Sequence, residues 1–417
     1  MALETEIKAY ARRIGFDVVA IGPAAPYERA RRVLEQRRAD GRYPAFTEPD
    51  IALRCDPKRL LPSARSVIAL GVSYLTPHRS RATRAGADPK GQLSRYTWGE
   101  DYHPLLRRRM QQLLDFLAQR APDLEAQAFV DTGPPVDREV AAAAGLGWYG
   151  KNACLYVPGF GSWVFLGEIL TNLELKPDPP VALDCGECDR CIRACPTGAI
   201  LEPFYVDPHR CVSHLTQMSG SIPVELRPAM GLKVFGCDVC QEVCPWNAEA
   251  IVANRPEFRP LPEVGTAPSL LELLNISKGE FRRRFGRTAL AWRGKKTLQR
   301  NAAIALGNSR NPAAVPALAR ALASDPKPVV RGSAAWALGR IGGAAARAAL
   351  EEAQRRETDA EVLAEIRLAL RMLEGQTSPP DCEATPPADE ATPPRRRGTD
   401  HGGPGRPQAG ARERPRL

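Results

Sequence analysis

Cys185-Gly186-Glu187-Cys188-Asp189-Arg190-Cys191-Ile192-Arg193-Ala194-Cys195-Pro196 is the stretch from which the rest of the chain can be read. Cysteines in the order C-x-x-C-x-x-C-x-x-x-C-P form the run found in two-cluster ferredoxins, whose fourth cysteine ligates the other cluster. A second run, Cys237-x-x-Cys240-x-x-x-Cys244-Pro245, follows it, with Cys211 alone between the two. The ligands then close as two sets of four: Cys185, Cys188, Cys191 and Cys244 for one cubane, Cys195, Cys211, Cys237 and Cys240 for the other. Structural zinc prefers cysteine pairs closed by a second pair or by histidines, which this spacing fits poorly. Disulfides need an oxidising compartment, and no apolar secretory segment is legible at the start of the sequence. Of the eleven cysteines, Cys55, Cys154 and Cys382 remain and read as ordinary thiols.

At 417 residues the chain is too long for a ferredoxin module alone, and two or three domains are expected. No apolar stretch reaches the roughly 18 residues that span a bilayer, so a soluble, cytoplasmic protein is expected. With 58 Lys+Arg against 48 Asp+Glu, the net charge of +10 permits an anionic macromolecular partner such as RNA, although a generally Arg-rich composition is the ordinary alternative. From Gln376 onward the sequence is rich in Pro, Gly, Ala and Arg and cannot bury a core, so residues 376–417 read as a disordered tail. That tail holds seven arginines against six acids, which leaves the basic surplus on the folded part.

Ahead of the cysteines, apolar β-branched runs (Phe16–Ile21, Ser66–Leu75, Ala126–Val130, Trp163–Leu170) alternate with helix-like segments (Tyr27–Ala39, Pro104–Ala121, Asp137–Ala144). Such alternation predicts a mixed α/β domain with a covered sheet over residues 1–180. Residues 181–250 should fold around their clusters. Beyond them the chain repeats: Ala302-Ala303-Ile304-Ala305-Leu306-Gly307 recurs as Ala334-Ala335-Trp336-Ala337-Leu338-Gly339, an offset of 32, and fades into Ile366-Arg367-Leu368-Ala369-Leu370. Paired apolar helices at a short fixed period predict HEAT-like repeats over residues 251–375, packed on the cluster domain because so few repeats cannot stand alone. The fold class is therefore α+β, with an α/β domain, a ferredoxin-like two-cluster domain and a C-terminal helical repeat.

Gly145-Leu146-Gly147-Trp148-Tyr149-Gly150 matches G-x-G-x-x-G, but it follows a helix and leads to a strand, the reverse of a dinucleotide fingerprint. The glycines are instead expected to let the backbone approach a large flat ligand, with Lys151 and Asn152 as polar contacts. Asp131 ends an apolar run ahead of Thr132-Gly133-Pro134-Pro135, a place where a cleft can raise a carboxyl's pKa enough for acid catalysis. Capping of the next turn is its ordinary role. The five histidines form no metal-spaced pair and carry no site assignment.

Several stretches together resemble the epoxyqueuosine reductase family, from about residue 5 to 375. They are Ser94-Arg95-Tyr96-Thr97-Trp98-Gly99-Glu100-Asp101-Tyr102-His103, Val130-Asp131-Thr132-Gly133-Pro134, Ala144–Asn152, Gly161–Glu168, the cysteine set, and Gly236-Cys237-Asp238-Val239-Cys240-Gln241. The resemblance implies a cobalamin-dependent enzyme with two 4Fe-4S clusters that performs the last step of queuosine biosynthesis. It would reduce the epoxide in a tRNA wobble nucleoside to an alkene with loss of water, drawing on an external electron donor. By matching position it implies Asp131 as proton donor and Arg54, Ser94, Asp131, Asn152, Leu155, Gln217 and Asp238 as cobalamin contacts. Some relatives carry cysteine where Ser94 stands, so no thiolate–cobalt bond is expected. Arg293, Lys295, Lys296, Arg300 and Arg331 are candidates for phosphate contact, with a solvated helix face as the alternative. Nothing demands more than a monomer. The rival readings are a reductive dehalogenase-like cobalamin enzyme, which fits the helical repeats poorly, and an electron-transfer ferredoxin module, which leaves the first 180 residues unexplained.

Overall fold

The strand Ser66–Ser73 (β2) is buried at every residue, so both faces of the sheet it belongs to must be covered. An unbroken apolar run rather than an alternating one is the sequence mark of that situation. The computed structural model describes residues 2–44 and 46–375. The expected disordered tail, with Cys382 and His401, lies outside the described residues. Strands Val18–Pro23 (β1), β2, Ala126–Phe129 (β3) and Val164–Thr171 (β4) form one sheet in the order β1-β2-β4-β3. Every pairing is antiparallel, and the register sets Ala69 and Phe129 against Glu168 on either side of β4.

On one face lie helices Leu3–Arg13 (α1) and Tyr102–Ala118 (α3). Leu106, Met110, Leu113 and Leu117 of α3 recur at helical spacing and are wholly buried, each such side chain contributing about 1.5–3 kcal/mol. Asp101 starts that helix by accepting from the His103 amide at 3.0 Å. On the other face lie Glu28–Ala39 (α2) and Asp137–Ala143 (α4), whose Leu34, Val140 and Ala141 meet Val67, Leu170 and Ala69. Sequence-expected strands and helices agree with these elements to within about three residues at their ends.

The repeat is present in three dimensions. Helices Gly294–Ser309 (α5), Val315–Ser324 (α6), Pro328–Ile341 (α7), Ala344–Arg356 (α8) and Ala360–Leu373 (α9) stack in order. A Cβ on Gly307 would stand 2.8 Å from the Ala337 Cα, and one on Gly339 would stand 2.7 Å from the Ala369 Cα. The recurring glycine therefore lets α5, α7 and α9 approach backbone to backbone. These helices share one core with the cysteine-rich region, from Val212, Leu215 and Val234 through Trp336 to Ala369.

Polar contacts reinforce that join. Arg300, wholly buried, donates to the carbonyls of Leu215, Met218 and Gly220 at 2.7–2.9 Å. Arg331 is engaged by Glu357 at 2.7 and 2.9 Å. Both arginines, candidates for phosphate contact on sequence grounds, are thus committed to holding the repeat together. Arg227, 2% exposed, pairs bidentately with Glu365 of α9 at 2.5 and 2.8 Å. Removing one partner of such a buried pair strands the other charge, so Glu365→Ala should lower unfolding free energy by about 3 kcal/mol. A denaturant titration followed by circular dichroism reads this as a lower midpoint. Among the described residues no helix is long and apolar enough to cross a membrane.

Candidate functional site

Asp131 is the residue after the β3 edge at which the chain turns sharply, with φ at +48°. A non-glycine residue in the left-handed region is strained and persists only where surrounding contacts hold it. Those contacts are present. The Asp131 amide donates to Asp137 Oδ1 at 3.0 Å, Tyr102 Oη donates to Asp131 Oδ2 at 2.6 Å, and His103 Nε2 stands 3.5 Å from the same oxygen. On its other side His103 Nδ1 is 2.7 Å from Asp101 Oδ1. The carboxyl of Asp131 nonetheless faces outward, its side chain 61% exposed.

The electrostatics correct one expectation. Desolvation by the surrounding chain would raise the partly exposed Asp131 carboxyl, but the His103 ring 3.5 Å away and the bond from Tyr102 outweigh it and hold the group below the usual carboxylate value. Burial likewise works against the His103 cation, yet Asp101 and Asp131 together raise its pKa to about 9. The pair thus carries one proton, and in the resting protein it sits on the imidazole. His103 has no metal-spaced partner in the sequence, and spacing alone assigns it no role. The signal that could have found it is the Asp101-Tyr102-His103 triplet at a helix start, but only folding brings it to Asp131.

The cysteines come together as two neighbouring groups. Cys185, Cys188, Cys191 and Cys244 line one cavity with Lys151, Asn152, Tyr156 and Trp246. Cys211, Cys237, Cys240 and Cys195 influence one another's charge in the second group. No three of these side chains close around a single metal ion among the described residues. Burial and crowding by other thiols push Cys191 up to about 12 and Cys211 to about 11. Such a crowd of sulfurs ionises only when cationic metal shares it, which suits the donor set of an iron–sulfur cubane. Backbone amides already point at the sulfurs, from Lys151 to Cys185 at 3.4 Å and from Ala199 to Cys195 at 3.2 Å.

The remaining sequence-derived residues fall around this centre. Ser94 Oγ donates to Asp238 Oδ1, and the Arg95 amide donates to Asp238 Oδ2 at 2.8 Å. Burial raises the Asp238 carboxyl to about 6 in spite of those bonds. Asn152 Nδ2 donates to Tyr156 Oη at 3.0 Å and to the Cys240 carbonyl at 3.4 Å. Gln217 follows the one-turn helix begun by Cys211 and donates to the Ser213 carbonyl at 3.0 Å. Ser94, Asp238, Asn152 and Gln217 therefore stand beside the second cysteine group. Arg54 belongs to the Asp131 side, its Nε donating to the Pro134 carbonyl at 3.3 Å. Leu155 is 5% exposed, within an apolar cluster with Ala141, Ala144 and Leu146.

The glycine-rich stretch is used differently from the sequence expectation. A Cβ on Gly147 would lie 2.4 Å from the Tyr156 carbonyl oxygen, and one on Gly150 2.4 Å from the Tyr156 ring. These glycines let the hairpin of Trp148–Tyr149 and Leu155–Tyr156 close on itself, so the close approach they permit at Gly147 and Gly150 is that of the chain's own Tyr156. Lys151 turns to the cysteine loop, its Nζ donating to the Gly186 carbonyl at 2.8 Å. A surface feature the sequence did not announce is Trp292, 54% exposed, with the Arg293 guanidinium 4.4 Å from its ring and exposed Phe46 beside it.

Comparison with known proteins bears on the whole chain. A family model described as epoxyqueuosine reductase QueG matches residues 54–132, a 4Fe-4S double cluster binding domain matches 184–247, and HEAT repeats match 287–371. An epoxyqueuosine reductase of Bacillus cereus is 42% identical over 371 residues, covering 89% of this chain and 97% of that relative. A crystal structure of epoxyqueuosine reductase with an epoxyqueuosine-modified tRNA-Tyr stem loop superposes with a TM-score of 0.85 at 40% identity, covering 89% of this chain and 99% of that one. A Bacillus subtilis epoxyqueuosine reductase, solved with its catalytic aspartate loop swung out of the active site, matches with the same TM-score at 39% identity and the same coverage. With identity at this level over 89% of its length, the chain belongs to the epoxyqueuosine reductase family.

Proposed function

We propose that this chain reduces the epoxide of epoxyqueuosine in a tRNA anticodon loop to the alkene of queuosine. The observation that carries the reading is the Asp131 carboxyl, open to solvent, tethered by Tyr102 and His103, in a chain whose cysteines gather as two sets of four. The reaction consumes two electrons and two protons and releases the epoxide oxygen as water. The first set (Cys185, Cys188, Cys191, Cys244) and the second (Cys195, Cys211, Cys237, Cys240) would each hold a 4Fe-4S cluster, the group suited to one-electron transfer. Neutral hydroxyl and amide groups on Ser94, Asn152 and Gln217 suit the amide-rich rim of a corrin, and Arg54, Leu155 and Asp238 complete the proposed cobalamin contacts. Cobalamin, when bound, supplies a reducible and strongly nucleophilic cobalt for opening a strained ring.

The protein's own residues manage the protons. Tyr102 and His103 fix the direction of the Asp131 carboxylate, and His103 stores a proton beside it. When a substrate covers Asp131 and removes its water, burial raises the carboxyl, so it can take up that proton and deliver it to the departing oxygen. Residues 1–180 thus hold the chemistry, 181–250 carry the electrons, and 251–375 help grip RNA. Trp292, Phe46 and Arg293 offer stacking and charge to an unpaired base, a pairing worth about 1–3 kcal/mol per base.

The test is an anaerobic reaction of the reconstituted protein with cobalamin, a reductant and an epoxyqueuosine-containing stem loop, read by nucleoside mass spectrometry. Loss of one oxygen, dependent on cobalamin, is expected; an unchanged nucleoside with clusters and corrin bound sinks the reading. The same assay has a pH signature. His103 stays protonated below about 9 and loses its proton as pH rises through that value, so turnover should decline there. In His103→Gln that alkaline decline should vanish while the plateau drops about tenfold.

A further inference from the structure

Beneath Asp131, on the sheet face covered by α4, Glu168 is 1% exposed at the middle of β4. Ala69 and Phe129 flank it across the sheet. Among the described residues no arginine, lysine or histidine is paired with it, and its Oε1 meets no donor group. Its polar neighbours are Asp137, whose carboxyl is close enough for the two to share a proton, and, further off, Asp131 and Tyr27. Two carboxyls can be so bonded only if one carries a proton, and the residue with no access to water is the one that keeps it. Protonated Glu168 then has an O–H to donate and Asp137 has oxygens left to accept. Asp137 Oδ1 uses that capacity on the Asp131 amide at 3.0 Å, the one backbone contact among those that hold a non-glycine residue at a φ of +48°. A buried ionisable side chain in the middle of a sheet costs stability, and among the described residues Asp137 is the one partner that can take its proton.

We propose that Glu168 is a positioning residue for the reaction, acting through Asp137 to fix the backbone amide, and with it the carboxylate direction, of Asp131. The inference rests on the proposed role of Asp131. It differs from a packing role in where its effect must appear. Loss of the Glu168 donor frees Asp137 to turn toward solvent, which releases the Asp131 turn; it leaves the sheet, the cysteine sets and the RNA-facing repeat as they were.

The experiment compares Glu168→Ala and Glu168→Gln in the full, cluster- and cobalamin-loaded chain, each also combined with Asp131→Asn. Two readings are taken, the rate of oxygen loss from the stem loop and amide hydrogen exchange over residues 130–136 without substrate. Glu168→Ala should lower kcat roughly tenfold, the worth of one hydrogen bond of ordinary strength, with KM for the stem loop unchanged. Exchange at the Asp131 amide should quicken by about the same factor. Glu168→Gln, whose amide N–H replaces the carboxyl proton, should recover most of both effects. In the Asp131→Asn background Glu168→Ala should cost nothing further, since residues acting through one another are not additive. An equal loss in both backgrounds, an unchanged Asp131 amide in Glu168→Ala, or Glu168→Gln as impaired as Glu168→Ala would each overturn the proposal. If the parent protein itself leaves the nucleoside intact, it is the proposed reaction that fails, and the exchange measurement still judges Glu168.

Discussion

Asp131→Asn should slow oxygen loss from the stem loop by about 10²–10³-fold at neutral pH, the usual worth of a positioned general acid. Asparagine has nearly the same shape and can still accept from Tyr102 Oη, which now lies 2.6 Å from the carboxylate. It cannot carry a proton and cannot pair with the imidazolium. Iron content and stem-loop affinity should stay within about twofold, because the side chain is 61% exposed and supports no core. A second reading isolates the cause. With one of its two carboxylate partners gone, His103 should titrate below its present value of about 9, as followed by its ring proton resonances. Full turnover in this variant would remove Asp131 from the chemistry and leave His103 as the group to test next.

Cys211→Ala should remove one cluster outright. Cys211 stands apart from both cysteine runs and opens the one-turn helix Val212–Leu215, and its assignment to the second set closes the ligand count. Iron should fall from about eight to about four atoms per chain, with turnover lost because electrons no longer cross the protein. The rest of the fold should survive. Arg300 and Asn301 grip the carbonyls of Leu215, Thr216, Met218 and Val234 independently of any sulfur. Cys154→Ala is the companion variant, since that thiol lies outside both sets of four although it bonds to Cys240, and iron should remain near its original content. If Cys154→Ala loses iron while Cys211→Ala keeps it, the assignment of ligands to the second set is wrong.

The two cysteine sets, the Asp131–His103 pair and a basic helical repeat sit on separate stretches of sequence, joined by a shared core and by buried arginines that bind carbonyls. The Arg227–Glu365 pair ties α9 to the cysteine-rich region. A substrate lying between the Asp131 turn and the exposed Trp292–Phe46 surface would touch parts of the chain about 160 residues apart.

Local pattern was enough for much of this. Cysteine spacing is dictated by the cube of iron and sulfur it must wrap, so the run at Cys185–Cys195 was legible without a fold. The repeat was legible because stacked helices demand the same small residue at the same place, and Gly307 and Gly339 meet Ala337 and Ala369 as that period requires. Strand and helix positions followed from burial on both faces of β2. Tertiary structure alone decided the rest, because the groups involved are distant in sequence and ordinary in type. It showed that Arg300 and Arg331 look inward, and that the glycines of 145–150 serve a hairpin. It also reversed the expected shift of the Asp131 carboxyl. A strand-end aspartate in a cleft should rise through burial, but a pKa reports the sum of a group's neighbours. Here a histidine 28 residues upstream and a tyrosine beside it overcome the burial, while a glutamate 37 residues downstream lies beneath in the sheet.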